Sequence, residues 1–572
     1  MSERIFIGVA WPYANGPLHL GHIAGAYLSA DIFARYHRAK GNEVLMVSGS
    51  DQHGTPIAIK AEQEGKEPGE IANRYHQSFL DSWQKLGIEF DKFTTTDSSK
   101  HRKVSQAIFT TLLNKGHIYR ATTSQPYCPH CQRFLPDRYI EGTCPYCHTA
   151  GTRGDQCEQC GKPINHADLI EPYCRLCSTR PEFRDSEHFF LKLSAFRDRL
   201  LDWVKKQTHW RGDVLNFTTR YLEDGLKDRA ITRDIKWGIP LPLPGYDEKR
   251  LYVWFEAVIG YLSASQEWAE SKGDKDQWRS FWQGEVKSYY FIGKDNIPFH
   301  TIVWPAMLMG YGDLNLPYDI PANQFLTIEG KRLSTSHNWA VWLPDFLSRY
   351  DPDPLRYLLS INMPETSDTN FSWQEFIRRN NDELVAIYGN LAHRVLTFVY
   401  RNFDGRVPTL DDMGVPGAKV APIDTQGNNL INLSTAAFAE MDESLSRCHF
   451  REALKTAMTV AQASNRYLDE KSPWKVIKED RQSAATSLYV ALVLISRLKN
   501  MLYPFLPFSS QRLHEFLGFE GQVKDSLLRE YGPTPDTPLP GQKLLSPEPL
   551  FTKLDEKIIA EETSRLGHVE YQ

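Results

Sequence analysis

The sequence predicts an α/β protein: a parallel sheet split by a cysteine-rich insertion and followed by an all-α bundle. Three observations predict it. A strand–turn–helix–strand pattern opens the chain, eight of the nine cysteines fall within residues 128–177, and the periodicity is helical from Asp382 to Phe519. Strand, turn, helix and strand in that order form a βαβ unit, whose strands lie parallel.

Residues 4–10 (RIFIGVA) read as a buried strand, and Pro12–Pro17 as a turn. A helix is expected from about Leu20 to Lys40, with Ile23, Tyr27, Ala30, Phe33/Ala34 and His37 at helical spacing and Gly41 as its stop. Residues 43–49 (EVLMVSG) read as the second strand, followed by the loop Ser50–Gly54. Strand-like runs resume at 250–254 and 288–292, so the insertion divides one sheet. Helices are expected at 382–402, 430–469 and 483–503, the first two joined by a loop at 404–427. Cys448 reads as a small buried hydrophobe in a helix.

The 572 residues suggest three or four domains. A net charge of −5 and 41% hydrophobic residues exclude a histone-like or disordered chain. The whole-chain charge attracts no nucleic acid, so any such binding must be local. No apolar run of 18 or more residues and no signal peptide are evident, which gives an expectation of a cytoplasmic protein without membrane attachment.

The clustered cysteines form four C-x-x-C pairs, Cys128/Cys131, Cys144/Cys147, Cys157/Cys160 and Cys174/Cys177, with gaps of 12, 9 and 13 residues. A tight turn aims two thiolates at one ion, and two such turns complete a tetrahedral zinc site. Gly161 follows one knuckle, as such a turn favours. Three pairings are possible, and a nested one is favoured: Cys144, Cys147, Cys157 and Cys160 on a first Zn2+, and Cys128, Cys131, Cys174 and Cys177 on a second. Four thiolates per ion leave no open position, so the zinc is structural. Redox motifs and disulfides are the less favoured readings of such a cluster.

His19-Leu20-Gly21-His22 stands at the strand-to-helix junction, where parallel sheets bind ligands and helix N-termini attract phosphate. Histidines three residues apart share a face, and Gly21 admits a ligand to the backbone. Far downstream, Gly-Lys-Arg-Leu-Ser-Thr-Ser at 330–336 sets cations and hydroxyls in one short loop, which suits a leaving pyrophosphate. Each motif alone is weak evidence; together they point to a nucleotide.

Several further segments then match in order: AWPYANGPLHLGH at 10–22, SDQHGTP at 50–56, the knuckles, DSEHFF at 185–190, TRDIKWG at 232–238 and YVWFEAVIGY at 252–261. FIGKDNIPFH at 291–300, the KRLSTS loop, NLAHR at 390–394 and SPW at 472–474 complete the series. The chain resembles the class I aminoacyl-tRNA synthetases, and within them the methionyl-tRNA synthetase family, in its two-zinc, four-knuckle subgroup.

The resemblance implies a Rossmann-type catalytic sheet and an all-α anticodon-binding bundle. It implies activation of L-methionine with ATP to methionyl-adenylate, Mg2+ accompanying ATP, and transfer to the terminal adenosine of initiator and elongator tRNA(Met). His19 and His22 would stabilise the transition state, and Lys331, Arg332 and Thr335 would serve the phosphates. Gly21, Asp295 and Asn296 would complete the ATP site, with Arg233 assisting at a phosphate or carboxylate unless it merely pairs with Asp234. Trp11, Tyr13, Asp51, Trp254, Ala257, Tyr261, His300 and, least securely, Trp304 would form the methionine pocket. Asp51 suits the ammonium, aromatic walls suit a thioether, and Tyr261 and His300 can each donate to sulfur. The family loop is K-M-S-K-S; here Arg332 and Thr335 stand for its lysines, leaving Lys331, Arg332 and His337 as candidates for the missing charge.

Asn390, Arg394, Pro473 and Trp474 match anticodon-reading positions. Asn390 and Arg394 are i, i+4 neighbours, and Trp474 suits stacking on an unpaired base. Between Phe376 and Phe403, Arg378, Arg379, Arg394 and Arg401 outnumber Asp382 and Glu383, a face suited to phosphates. The domains are expected at 1–117 and 231–325 (catalytic halves), 118–230 (insertion), 326–380 (phosphate loop and linker) and 381–572 (bundle and tail). The insertion is too short for the editing domain of valine, leucine and isoleucine enzymes, and a cysteinyl enzyme would need zinc in its substrate pocket. A non-catalytic zinc-ribbon RNA binder would not need the paired phosphate motifs. A short tail behind the bundle gives an expectation of a monomer.

Overall fold

The computed structural model of the chain describes residues 2–154, 157, 159–160, 164, 168–335, 337–527 and 537–567. Its centre is a five-stranded parallel sheet of β1 (Arg4–Val9), β2 (Glu43–Ser50), β3 (Lys92–Thr95), β4 (Lys287–Gly293) and β5 (Ala322–Asn323), in the order β5-β4-β1-β2-β3. β1 lies between β2, from before the insertion, and β4, from after it; Ile5 faces Val44 on one side and Lys287 on the other. The connections leave β1 and β4 in opposite directions, so their carboxyl ends open a crevice of the kind that binds ligands.

Both sheet faces are covered, which explains the unbroken apolar strands. Ile5, Ile7, Val9 and Met46 join a core continuous with the C-terminal helices, whereas Phe6, Leu45 and Val47 pack with Tyr261, Trp282 and Trp304. The first helix starts at Leu20–His22, widens into a π turn at Ile23–Tyr27 and continues as Leu28–Ala39. Gly41 follows with φ +82°, as its role as a stop requires.

The insertion leaves the sheet as a long antiparallel ribbon, Ile118–Cys128 against Glu182–Leu191. Near its far end a small sheet, Ile140–Thr143 with Thr152–Arg153 and Ile170–Cys174, carries knuckle cysteines. Gly161 lies outside the described residues.

Two elements differ from expectation. The run 250–254 is not a sheet strand: only Arg250–Leu251 is extended, paired with Thr232–Arg233, and Val253–Ala257 is helical. The Tyr252 carbonyl accepts from Phe255 and Glu256 N–H and so starts a helix that overrides the strand propensity of Tyr, Val and Trp. The stretch 430–469 is two helices, Thr425–Ser446 and Phe450–Lys471. Cys448 is buried as expected, but at the break between them, with φ +57°.

Arg481–Leu502 is the one helix among the described residues with the length and apolarity to cross a membrane. It is the bundle's core helix, with 94% of its most apolar window buried. A buried ionic joint ties the first helix to the helix Pro352–Ile361, and bundle carbonyls complete it. Arg356 Nη2 donates to Asp31 Oδ2 at 2.7 Å and to the Pro504 carbonyl at 3.0 Å, and Arg35 Nε donates to the same Asp31 oxygen at 2.9 Å. Burial alone would raise the Asp31 pKa; the two guanidinium charges hold it below the usual carboxylate range.

Candidate functional site

The crevice between β1 and β4 receives the loop after β1, the helix start at His19 and the turn after β4. His19 has extended backbone (φ −127°, ψ 167°) at the N-cap, so the chain turns sharply into the helix. The rings of His19 and His22 stack 3.7 Å apart at 17°. His19 N–H donates to His22 Nδ1 at 3.2 Å, which leaves the His22 proton on Nε2. Burial lowers the His22 pKa to about 4; burial and then the His22 charge lower that of His19. Both are therefore neutral donors near pH 7.

The phosphate loop closes onto this helix start. A Cβ at Gly21 would lie 3.0 Å from Leu333 Cδ1 and 3.1 Å from the His19 ring, so glycine is what admits the loop. Leu20 N–H donates to the Val341 carbonyl at 3.1 Å and Leu343 N–H to the Leu18 carbonyl at 2.8 Å, tying the far end of the loop to the same spot. Arg332 and Thr335 are exposed. Lys331 Nζ lies 4.3 Å from the Trp339 ring centre, and Ser334 Oγ is 2.9 Å from His337 Nδ1. Ser336 lies outside the described residues. Asp295 and Asn296 sit on the turn Lys294–Asn296 directly after β4, while Lys294 is paired with Asp368 at 2.7 Å.

The methionine-pocket candidates gather on the other side of the same crevice. The Trp11 indole lies between two glycines: Cβ atoms at Gly49 and Gly260 would come within 2.3 and 2.6 Å of it. Trp254 Nε1 donates to Tyr13 Oη at 2.7 Å, and Tyr13 and Asp51 form a parallel bridge. Ala257 ends the short helix that carries Trp254. Tyr261 and His300 are buried, 2.8 Å apart from Oη to Nε2. His300 Nδ1 is 3.0 Å from the Asn296 carbonyl, which only accepts, so Nδ1 carries the proton and Nε2 accepts from Tyr261. Both donors expected for sulfur are thus engaged. Burial holds His300 near pKa 4, in the neutral form. Trp304 is fully buried and donates to Tyr290 Oη at 3.1 Å.

Arg233 does not pair with Asp234. It meets Asp137 of the insertion at 3.2 Å and lies 3.8 Å over the Tyr252 ring, while Asp234 pairs with Lys249 at 2.5 Å and His188 at 3.1 Å. The Asp137 contact joins the insertion to the elements that follow it.

Four residues under the pocket were not anticipated: His53, Asp97, His101 and Glu256. His53 Nδ1 is 2.9 Å from Glu256 Oε1, and its Nε2 is 3.3 Å from Asp97 Oδ1. Signals existed for two of them. His53 stands two places after Asp51, and Glu256 is an acid inside an apolar run beside Ala257.

The eight knuckle sulfurs form two groups, Cys128, Cys131, Cys174, Cys177 and Cys144, Cys147, Cys157, Cys160, with ligand atoms in each group within 4.8 Å of one another. Sulfur separations run from 3.4 Å (Cys131–Cys177) to 4.0 Å (Cys131–Cys174) in the first, with 3.6 Å (Cys147–Cys157) and 3.9 Å (Cys144–Cys160) in the second. Tetrahedral bonds of about 2.3 Å place sulfurs about 3.8 Å apart, so both groups fit zinc in the nested pairing. None of these cysteines forms a disulfide.

In the bundle, Arg394 lies 3.8 Å over the Trp474 ring and donates to Asp469 at 3.3 Å. Asn390 and Arg394 line a groove of about 380 Å³ with Asn465, Arg466 and Asp469. Pro473 opens the short helix Pro473–Val476 and is buried. The expected basic face is smaller than its sequence count. Arg378 and Arg379 both pair with Glu375, which lies just outside the counted stretch, and with Glu383.

A crevice at the switch point of a parallel sheet, two neutral histidines at a helix start and a cationic loop folded onto them match one class of protein. The family model described as "tRNA synthetases class I (M)" covers residues 5–396, and that of the anticodon-binding domain of methionyl tRNA ligase covers 416–570. The chain belongs to the class I aminoacyl-tRNA synthetases. It is 60% identical over 568 residues to a methionine–tRNA ligase of Dehalococcoides mccartyi, covering 99% of this chain and 100% of that one. It is 52% identical to the methionine–tRNA ligase of Thermomicrobium roseum, with 99% of both chains covered. Within the class, the chain belongs to the methionyl-tRNA synthetase family, the methionine–tRNA ligases. Mycobacterium tuberculosis methionyl-tRNA synthetase, solved in complex with methionyl-adenylate, superposes with a TM-score of 0.78 at 25% identity, over 96% of this chain and 100% of that one.

Proposed function

We propose that the two half-reactions of a methionine–tRNA ligase are served by two surfaces of this chain, the β1/β4 crevice and the Arg394/Trp474 groove. In the first step the L-methionine carboxylate attacks the α-phosphate of ATP, giving methionyl-adenylate and pyrophosphate. In the second, the 3′-terminal adenosine of initiator or elongator tRNA(Met) takes the methionyl group and AMP leaves.

His19 and His22 donate to the oxygens of the pentacoordinate phosphorus as neutral imidazoles, which costs no desolvation of charge. Gly21 lets the phosphates approach the helix start, and Asp295 and Asn296 hold the adenosine end. Arg332 supplies the charge of the missing lysine, since Lys331, exposed like it, lies against the Trp339 ring; Thr335 is a hydroxyl donor. Arg233, engaged by Asp137 and Tyr252, orients the insertion more than it meets phosphate. Asp51 takes the methionine ammonium, while Trp11, Tyr13, Trp254, Ala257, Tyr261 and His300 enclose the side chain. Mg2+ accompanying ATP would supply neutralisation of the triphosphate charge. The two Cys₄ groups would hold structural zinc, as in a two-zinc, four-knuckle subgroup. On this reading the chain divides after residues 117, 230, 325 and 380, and works as a cytoplasmic monomer.

The observation that carries the reading is the packing of Leu333 against Gly21, which brings the two phosphate motifs together from opposite ends of the catalytic half. Methionine-dependent ATP–pyrophosphate exchange tests it. Exchange that is specific for methionine and lost in Arg332→Ala supports the assignment; exchange indifferent to methionine overturns it.

A further inference from the structure

Asp51, His53 and Glu256 are 3%, 2% and 0% exposed, so three ionisable side chains share one dry space beneath the pocket. His53 N–H caps Asp51 Oδ1 at 3.3 Å. Each ring nitrogen of His53 faces a carboxylate oxygen, of Glu256 and of Asp97, and a ring that donates on both sides is an imidazolium. Trp237 closes the outer side: its ring meets His53 edge-on at 5.5 Å, and its Nε1 donates to the Gln52 carbonyl at 2.6 Å.

The other charged and titratable neighbours do not replace His53. Arg102 stands 3.7 Å from Asp97 Oδ1, at the exposed rim. His101 is neutral: Ser263 Oγ donates to the Gly260 carbonyl and so accepts from His101 Nδ1, and Ser105 Oγ lies 3.3 Å from Nε2. Burial and the His53 charge hold His101 near pKa 3. Its Nε2 is 3.8 Å from Glu256 Oε2, which has no hydrogen-bond partner among the described residues. Three carboxyl groups, of Asp51, Glu256 and Asp97, thus gather around one imidazolium, an acidic excess suited to an incoming ammonium.

We propose that His53, clamped between Glu256 and Asp97, is a positioning residue for the substrate ammonium: its ring charge offsets part of the cost of holding the buried Asp51 carboxylate ionised for that ammonium. This rests on the reading that Asp51 takes the methionine ammonium. Burial, and then the Glu256 charge, raise the Asp51 pKa well above the usual carboxylate range; His53 offsets part of that rise, and an incoming ammonium beside Asp51 supplies further opposite charge. His53 therefore acts through Asp51, and Glu256 has two opposed effects. It anchors His53, and its own charge opposes ionisation of Asp51.

The test is methionine-dependent pyrophosphate exchange by the full chain from about pH 5.5 to about pH 9, in His53→Gln, Glu256→Gln and Asp51→Asn. In His53→Gln the KM for methionine rises about tenfold at neutral pH, the KM for ATP is unchanged, and the acid limb of kcat/KM for methionine moves up by about one pH unit. In Glu256→Gln the same limb moves down, because a like charge has left. A stationary limb in His53→Gln with KM and kcat impaired alike, or limbs moving in one direction in both variants, overturns the proposal. If His53→Gln does not fold, His53→Asn takes its place and is read by the same limb. Asp51→Asn separates the premises. An unchanged KM for methionine in that variant sinks the reading of Asp51 itself. A large rise there, with His53→Gln at wild-type values, sinks only the role given to His53.

Discussion

The Arg394 guanidinium lies 3.8 Å from the centre of the Trp474 ring, in the wall of an open groove. The ring's second neighbour is Phe398, edge-on at 6.4 Å. On the proposed reading this ring stacks on a base of the tRNA. Stacking contributes about 1–3 kcal/mol per base, so Trp474→Ala should lower kcat/KM for tRNA by about 10- to 100-fold. Pyrophosphate exchange should be unchanged. Equal loss of both activities would make Trp474 a packing residue.

Two stacked neutral histidines donate without titrating near neutral pH. His22→Ala should reduce kcat of exchange by about 100- to 1000-fold, with little change in the KM for methionine. With its pKa near 4, His22 gives no inflection above about pH 5. A wild-type kcat profile inflecting near pH 6.5 and losing that inflection in His22→Ala would contradict the neutral role.

Gly260→Ala places a Cβ within 2.6 Å of the Trp11 indole, and neither backbone nor ring can give way cheaply. Overpacking of this kind costs about 1–3 kcal/mol. The expected result is a rise of about tenfold or more in the KM for methionine at near-normal KM for ATP. Equal rises in both would place the disturbance outside the pocket.

Burial alone would lower the His53 pKa, yet the neighbouring carboxylates, Glu256 first, raise it from 6.5 to about 10. A raised pKa stabilises the fold fully below the unfolded value, and that contribution declines as pH rises through the folded value. Urea unfolding should therefore show wild type losing stability relative to His53→Gln between about pH 6.5 and about pH 10. A constant difference across that window would mean that His53 is not charged in the fold.

The two sulfur groups make separate predictions. Metal analysis should find two zinc ions per chain, and Cys144→Ser and Cys128→Ser should each lose one. Retention of both ions by either single variant, or loss of both together, would contradict two independent sites in the nested pairing.

Much of this was legible in the sequence because the signals were local. β1, β2 and the first helix follow from short apolar runs and helical spacing, and the zinc groups from C-x-x-C turns. The His19/His22 pair could be placed because a strand, a turn and a helix start occur together. What was hidden depends on distant partners. Nothing near residue 252 tells that its carbonyl starts a helix. The helix break at Cys448 keeps the apolar period on both sides. Arg233 meets Asp137 across 96 positions, so its nearer neighbour Asp234 was the obvious partner and the wrong one. Arg378 and Arg379 looked like free cations until Glu375 folded against them. His53 and Glu256 lie 203 positions apart, so no sequence window holds both.

The buried joint of Asp31, Arg35 and Arg356 bears on how the molecule unfolds. Pulling the bundle away would strip Arg356 of the Pro504 and Phe505 carbonyls and Arg35 of the Tyr503 hydroxyl, and would expose the core that the two parts share. The sheet and the bundle are thus expected to melt in a single cooperative transition, despite their separate tasks. The catalytic half has no finished surface of its own on that side. Its stability is borrowed from the part of the chain that reads tRNA.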